Sequence, residues 1–182
     1  EIDKNEVLVI SIVSTNDFSF VGDYAFRNAP DNAALGEAPA MAAIADGYDT
    51  VATMAHETDF AAGWISSFSN LYEELGGTIV STEVSRVDDT DYRPVLTKLI
   101  GSEPGALVLA TQTSEGCATS IIQARELGWD GTIYVADTCL ASTGIEIVGD
   151  AGEGVRASNL PEVIKGKGLD FLSRAKEKYG YT

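Results

Sequence analysis

Five short runs of β-prone residues return through the middle of the chain, each separated from the next by a stretch with helical spacing of its apolar residues. They are "TVATMA" at 50–55, "TIVSTEV" at 78–84, "ALVLAT" at 106–111, "TIYVA" at 132–136 and "GVRAS" at 154–158. Strands alternating with helices at this interval need crossover connections. The sequence therefore predicts an α/β fold, a doubly wound parallel sheet in three layers with helices on both faces.

The intervening helices have legible edges. Between the first two strands Phe60, Trp64, Ile65, Phe68, Leu71, Tyr72 and Leu75 recur at three and four residues, until "GG" at 76–77 stops the helix. Asp91 is placed to cap the helix in "YRPVLTKLI", with Pro94 in its first turn. In "SEGCATSIIQARELG" Ser114 is the cap, Cys117, Ile121, Ala124 and Leu127 form the apolar face, and Gly128 ends the helix. "PDNAALGEAPAMAAIADG" predicts an Ala-rich helix leading into the first of the five strands. Residues 31–158 thus form one complete five-stranded unit. Both flanks fit it poorly: residues 5–30 hold a strand-like "EVLVIS", a polar "STNDFS" turn and an extended "DYAFRNAP", and 168–179 form an amphipathic helix with nothing to follow.

Composition removes several function classes. A hydrophobic fraction of 45% with 22% charged residues is that of a folded globular chain. The longest apolar stretches, "VLVIS" and "ALVLA", fall far short of the roughly 20 residues of a membrane helix. A net charge of -16, from 28 acidic and 12 basic residues, repels phosphate backbones and argues against a nucleic-acid partner. "EIDKNEVLV" lacks the basic and apolar regions of an export signal, so any such signal is expected outside this chain. GxGxxG, GxxxxGK[ST] and GxSxG are absent, and Asp137 lacks the companion acidic pair of a phosphotransfer receiver, so neither an enzyme nor a cofactor is predicted. His56, the only histidine, has no paired nucleophile or ligand cluster and is expected in an exposed loop. Cys117 and Cys139 are too far apart for a CxxC motif, which argues against a metal site. Trp64 and Trp129 are expected as packing residues.

The order of "YAFRNAP", "TVATMAHETDFAAGW", "LGGTIVSTEV", "DDTDYRPVLTKLIGSEPGALVLAT", "IIQARELGW" and "IVGDAGEGV" resembles the type I periplasmic binding proteins of the branched-chain amino-acid ABC transporter class, over essentially the whole chain. The resemblance implies two α/β lobes joined by three crossover segments, with ligand held in the cleft as the lobes close. Residues 31–156 would be the complete C-terminal lobe. Residues 1–30 would be part of the N-terminal lobe with the first crossover, and 157–182 the return crossover with a further part of that lobe. The chain then reads as an internal fragment of a longer protein. Implied too is a non-enzymatic, periplasmic or otherwise extracytoplasmic receptor. It would bind a branched-chain or other aliphatic amino acid and present the closed form to an ABC transporter permease in the membrane. The alternative is a sensor or receptor of the same fold that takes an amide, urea or an aromatic acid.

Strand ends of open α/β sheets receive ligands, and here the loops after three strands begin "HETDF", "TQTSEG" and "DTCLAS". By the resemblance Asp137 meets a ligand α-ammonium and Phe60 supplies an aromatic wall. Thr113 or Ser114 stands where the family carries a tyrosine, and Ser14 and Thr15, before Asn16, match a ligand-holding turn of the other lobe. The residues alone leave other roles open: Asp137 as a cap of the segment after it, Phe60 as the first buried residue of its helix, Ser114 as a helix cap, Ser14 and Thr15 as turn residues. Cys117 and Cys139 follow strands that are neighbours in the order common to such lobes, which leaves a disulfide and two partly buried thiols both open.

Overall fold

A computed structural model describes residues 3–12, 22–29, 32–159 and 167–180. Three strands, β3 (Thr50–His56), β5 (Ala106–Ala110) and β6 (Ile133–Val135), are buried at every position but Thr50. Strands buried on both faces need helices above and below, and parallel pairing provides the crossovers that carry them. With β4 (Thr78–Ser85) and β7 (Val155–Ala157) they form a parallel sheet in the order β4-β3-β5-β6-β7. A separate parallel pair joins β1 (Val9–Ser11) to β2 (Ala25–Arg27).

Helices α1 (Asn32–Ala45) and α2 (Asp59–Glu74) cover one face. There Trp64, Phe68 and Tyr72 pack on Val51, Val108 and Tyr134. On the other face Leu96 and Leu99 of α3 (Arg93–Gly101) and Ile121 and Ala124 of α4 (Ser114–Glu126) pack on Met54, Leu107, Leu109 and Ile133. The chain continues after β6 through a 3-10 turn at Asp137–Leu140 and helix α5 (Ser142–Val148), and α6 (Lys167–Tyr179) lies beyond β7.

Local chemistry sets several of these boundaries. Leu75 ends α2 and the next residue, Gly76, takes φ +95, a left-handed conformation open to glycine at little cost. Pro39 sits inside α1 and has no N–H for the Leu35 carbonyl. That carbonyl accepts instead from Ser158 Oγ at 3.1 Å, which ties the chain leaving β7 to α1.

Two expected caps are displaced by one residue. Tyr92, not Asp91, is the N-cap of α3, and the Asp91 carboxylate accepts from the Arg93 N–H at 3.2 Å. Thr113, not Ser114, caps α4: its backbone is still extended, so its hydroxyl faces the first turn and accepts from the Gly116 N–H at 3.1 Å. In the outer strand β4 the register against β3 jumps from Ile79 to Ser81, leaving Val80 as a bulge.

Candidate functional site

Strand order reverses between β3 and β5, because α2 leads outward to β4 on one side while α4 leads to β6 on the other. Loops diverging from such a reversal open a crevice at the C-terminal strand ends. His56 closes β3 at that point, and its side chain is fully buried, contrary to the exposed loop position expected for it. The strand runs one residue further than "TVATMA", and that residue turns inward.

Hydrogen bonding fixes the state of this imidazole. The Gln112 backbone N–H donates to His56 Nδ1 at 3.0 Å; since a backbone amide can only donate, Nδ1 carries no proton. The neutral ring then bears its hydrogen on Nε2, which lies 3.0 Å from the Tyr92 hydroxyl and donates to it. The two rings stack 5.7 Å apart at 13°. Gly116 in the first turn of α4 rests on the pair: a Cβ there would come within 2.9 Å of His56 Cε1 and of the Tyr92 hydroxyl. Burial lowers the His56 pKa, and the Asp89 carboxylate partly opposes it. Burial, with Asp89 acting in the same direction, raises the Tyr92 phenol.

A folded-state pKa below the ordinary 6.5 means the unfolded chain takes up the proton first. Stability linked to His56 is therefore present above pH 6.5 and drains away as pH falls through the lower folded value. We expect the urea midpoint to drop between pH 7.5 and 5.5 and His56→Gln to flatten that drop. An equal pH response in both proteins would show that other groups carry it.

The next two loops meet beside this crevice. Thr111 Oγ1 donates to the Thr113 carbonyl at 3.0 Å, shaping the turn into α4. Ser114 Oγ donates to Glu115 Oε2 at 3.2 Å and accepts from Thr143 Oγ1 at 3.1 Å. Thr138 Oγ1 donates to the Thr111 carbonyl at 2.8 Å. Cys117 and Cys139 form a disulfide with Cα atoms 5.5 Å apart.

Asp137 opens the 3-10 turn after β6 but does not cap it, because the N-cap is Ala136 and no side-chain cap bond is made. Its Oδ1 is buried without a hydrogen-bond partner. Burial raises the Asp137 carboxyl above its ordinary range, while N–H groups of Asp137 and Thr138 pull it back. Such an oxygen costs free energy unless a donor or cation reaches it.

The structure thus brings Thr113, Ser114 and Asp137 together on adjoining loops. Phe60 lies beyond the loop after β3, in the first turn of α2, half-buried against the core between α1, α2 and the sheet. Ser14 and Thr15, with Asn16, lie outside the described residues. Sequence reasoning missed His56, Thr111, Thr138 and Thr143; for His56 the signal was present, since it continues the apolar run of β3. Among the described residues no cluster of three or more His, Cys, Asp or Glu could hold a metal ion, and no helix is long and apolar enough to cross a membrane.

The leucine binding protein LivK of Thermotoga maritima matches at 27% identity with a TM-score of 0.86, over 99% of this chain and 53% of that one. LivJ of Streptococcus pneumoniae, a branched-chain amino acid transporter substrate binding protein solved with isoleucine, matches at 23% with a TM-score of 0.79, over 99% of this chain and 53% of that one. An ABC transporter solute binding protein of Rhodopseudomonas palustris, solved with 3,4-dihydroxybenzoic acid, matches at 18% with a TM-score of 0.69, over 86% of this chain and 44% of that one. The chain spans about half the length of these proteins. No curated protein matches it. The sequence model of the family described as periplasmic binding protein matches residues 2–182, and the chain belongs to that family.

Proposed function

We propose that this chain forms about half of an extracytoplasmic solute receptor that serves an ABC transporter permease and binds a branched-chain or other aliphatic amino acid. Residues 31–156 act as one lobe, and 1–30 with 157–182 belong to the other. Ligand enters between the lobes, and its differential affinity for the closed state shifts the equilibrium toward closure without any bond being made.

One observation carries the choice of ligand. Asp137 holds a buried carboxylate oxygen with no partner at the end of a central strand. An α-ammonium supplies the missing charge and the missing donor at once. The hydroxyls of Thr113 and Ser114 on the adjoining loop suit the polar end of the same molecule, with Ser14 and Thr15 meeting it from the facing lobe. Phe60 bounds its apolar end. Family membership and the leucine- and isoleucine-binding relatives support the same assignment.

A second ligand class is favoured by the direction of the Asp137 shift. A carboxyl raised by burial can hold its proton and donate to a carboxylate or an amide, as an aromatic acid or urea would require. A thermal-shift titration of the intact gene product separates the two. Leucine is expected to raise the melting temperature, by roughly 2.7 kcal/mol of added stability at a hundredfold excess over Kd, and 4-methylpentanoate, its deaminated analogue, to do nothing. Shifts with 3,4-dihydroxybenzoate or urea alone would discard the ammonium role and leave the receptor fold in place.

A further inference from the structure

Backbone pairing stops short of the candidate site. The β5–β6 ladder covers three residue pairs and ends at Leu109 opposite Val135, with one longer bond from the Ala136 N–H to the Leu109 carbonyl at 3.4 Å. Past that point the distance between Ser114 and Asp137 is not set by the sheet. Three side-chain links join the segments that follow the two strands, Thr138 to Thr111, Ser114 to Thr143, and Cys117 to Cys139, beside the close packing of Gly144 on Ser114 and the Cys139 carbonyl. The first two are hydroxyl bonds that water can replace. The third is covalent and shielded, with Cys117 1% and Cys139 9% exposed.

Asp137 makes such a link necessary. A carboxylate oxygen buried without a partner gains by moving out into water, and the short turn that carries it could swing to allow this. Cys139 lies two residues beyond Asp137 and Cys117 three residues beyond Ser114, so the bond grips the start of α4 and the turn after β6 close to the groups that matter. Holding a group in its binding geometry before the ligand arrives removes an ordering cost from association.

We propose that the Cys117–Cys139 disulfide is a positioning element, fusing the loop after β5 and the turn after β6 into one wall so that Ser114 and Asp137 engage the ligand in fixed register. This rests on the amino-acid-binding role proposed above. The two cysteines act through their neighbours and do not touch the ligand themselves.

The test compares the intact gene product with its Cys117→Ala/Cys139→Ala form by amide hydrogen exchange and by leucine titration, both well below the melting temperature. Amides of residues 111–117 and 137–143 are expected to exchange about tenfold faster in the variant while those of β5 do not change, and leucine to bind about tenfold more weakly. Unchanged exchange and affinity beside a lowered melting temperature would reduce the disulfide to a stabiliser of the fold and overturn the proposal. Weakened binding with unchanged loop exchange would overturn it too. Should the alanine pair fail to fold, Cys117→Val with Cys139→Ala refills the volume left by the sulfurs and gives the same comparison. Asp137→Asn in the same titration keeps the two ideas apart. Normal leucine binding by that variant sinks the amino-acid role and with it the ligand half of the proposal, whereas loop exchange reports on the disulfide without any ligand.

Discussion

Replacing Asp137 by asparagine is expected to weaken leucine binding by the intact gene product by about two to four orders of magnitude and, at neutral pH, to make the ligand-free protein more stable. The first effect follows from removing one partner of a desolvated charge pair, which costs about 3–5 kcal/mol because the ligand ammonium is left buried without its counter-charge. The second follows from the direction of the Asp137 shift. Its folded pKa lies above the unfolded value of 3.8, so the folded chain holds the proton more tightly, and the associated stability is present below pH 3.8 and lost as pH rises through the folded value. At pH 7 the raised carboxyl is therefore a burden on the fold, and the asparagine variant does not carry it. Isothermal titration with leucine and urea unfolding at pH 7 and pH 3.5 measure the two effects. A variant that binds leucine normally, or whose stability gain is as large at pH 3.5 as at pH 7, would contradict this role.

Arg125→Ala is expected to cost roughly 3 kcal/mol, given that hydrogen bonds from a charged donor are each worth about 1.5–3. Near the end of α4 the Arg125 guanidinium donates to four backbone carbonyls: Trp129 at 2.6 Å, Gly131 at 2.8 Å, Ala151 at 3.3 Å and Glu153 at 3.0 Å. Two of these lie in the loop before β6 and two in the loop before β7, so one side chain fixes where both strands begin. For a chain of this size the loss corresponds to a fall of order 10 °C in melting temperature. Lysine should recover little of it, because one ammonium cannot serve two loops in a planar fork. Affinity for leucine should hold in the folded variant, since these carbonyls lie at the strand starts and the candidate site at the strand ends. A variant that melts with the wild type would reduce the network to a surface contact.

Strand positions were legible because their signal is local. In "ALVLA" and "TVATMA" burial on both faces demands apolar or small residues at nearly every position, and the observed strands begin or end within one residue of the expected runs. Helix faces were legible for the same reason: Trp64, Phe68 and Tyr72 are all buried in the core that α2 shares with the sheet. Caps were harder. Thr113 and Ser114 both carry a hydroxyl, and only the backbone angle at the end of the loop decides which one faces the helix.

The links that assemble the candidate site were beyond reach for a different reason. Thr111 and Thr138 are 27 positions apart, and Arg125 reaches Ala151 and Glu153 across 26 and 28. No periodicity encodes such contacts; they exist only once the sheet order has been set. Helix α5 also escaped notice, because a seven-residue helix offers too few turns for a periodic pattern.

The bulge at Val80 bears on how the protein behaves when concentrated. Among the described residues no strand pairs with the outer edge of this eight-residue strand, β4, so its amides and carbonyls form a row that a strand from a neighbouring copy could join, and Val80 and Val84 on it are 38% and 58% exposed. The bulge breaks the flatness of that row two residues after it begins, and the ion pair from Lys98 to Glu83 at 2.9 Å sets charge against an incoming apolar strand. Copies already repelled by a net charge of -16 thus meet an irregular, charged border where a flat one would invite fibrils.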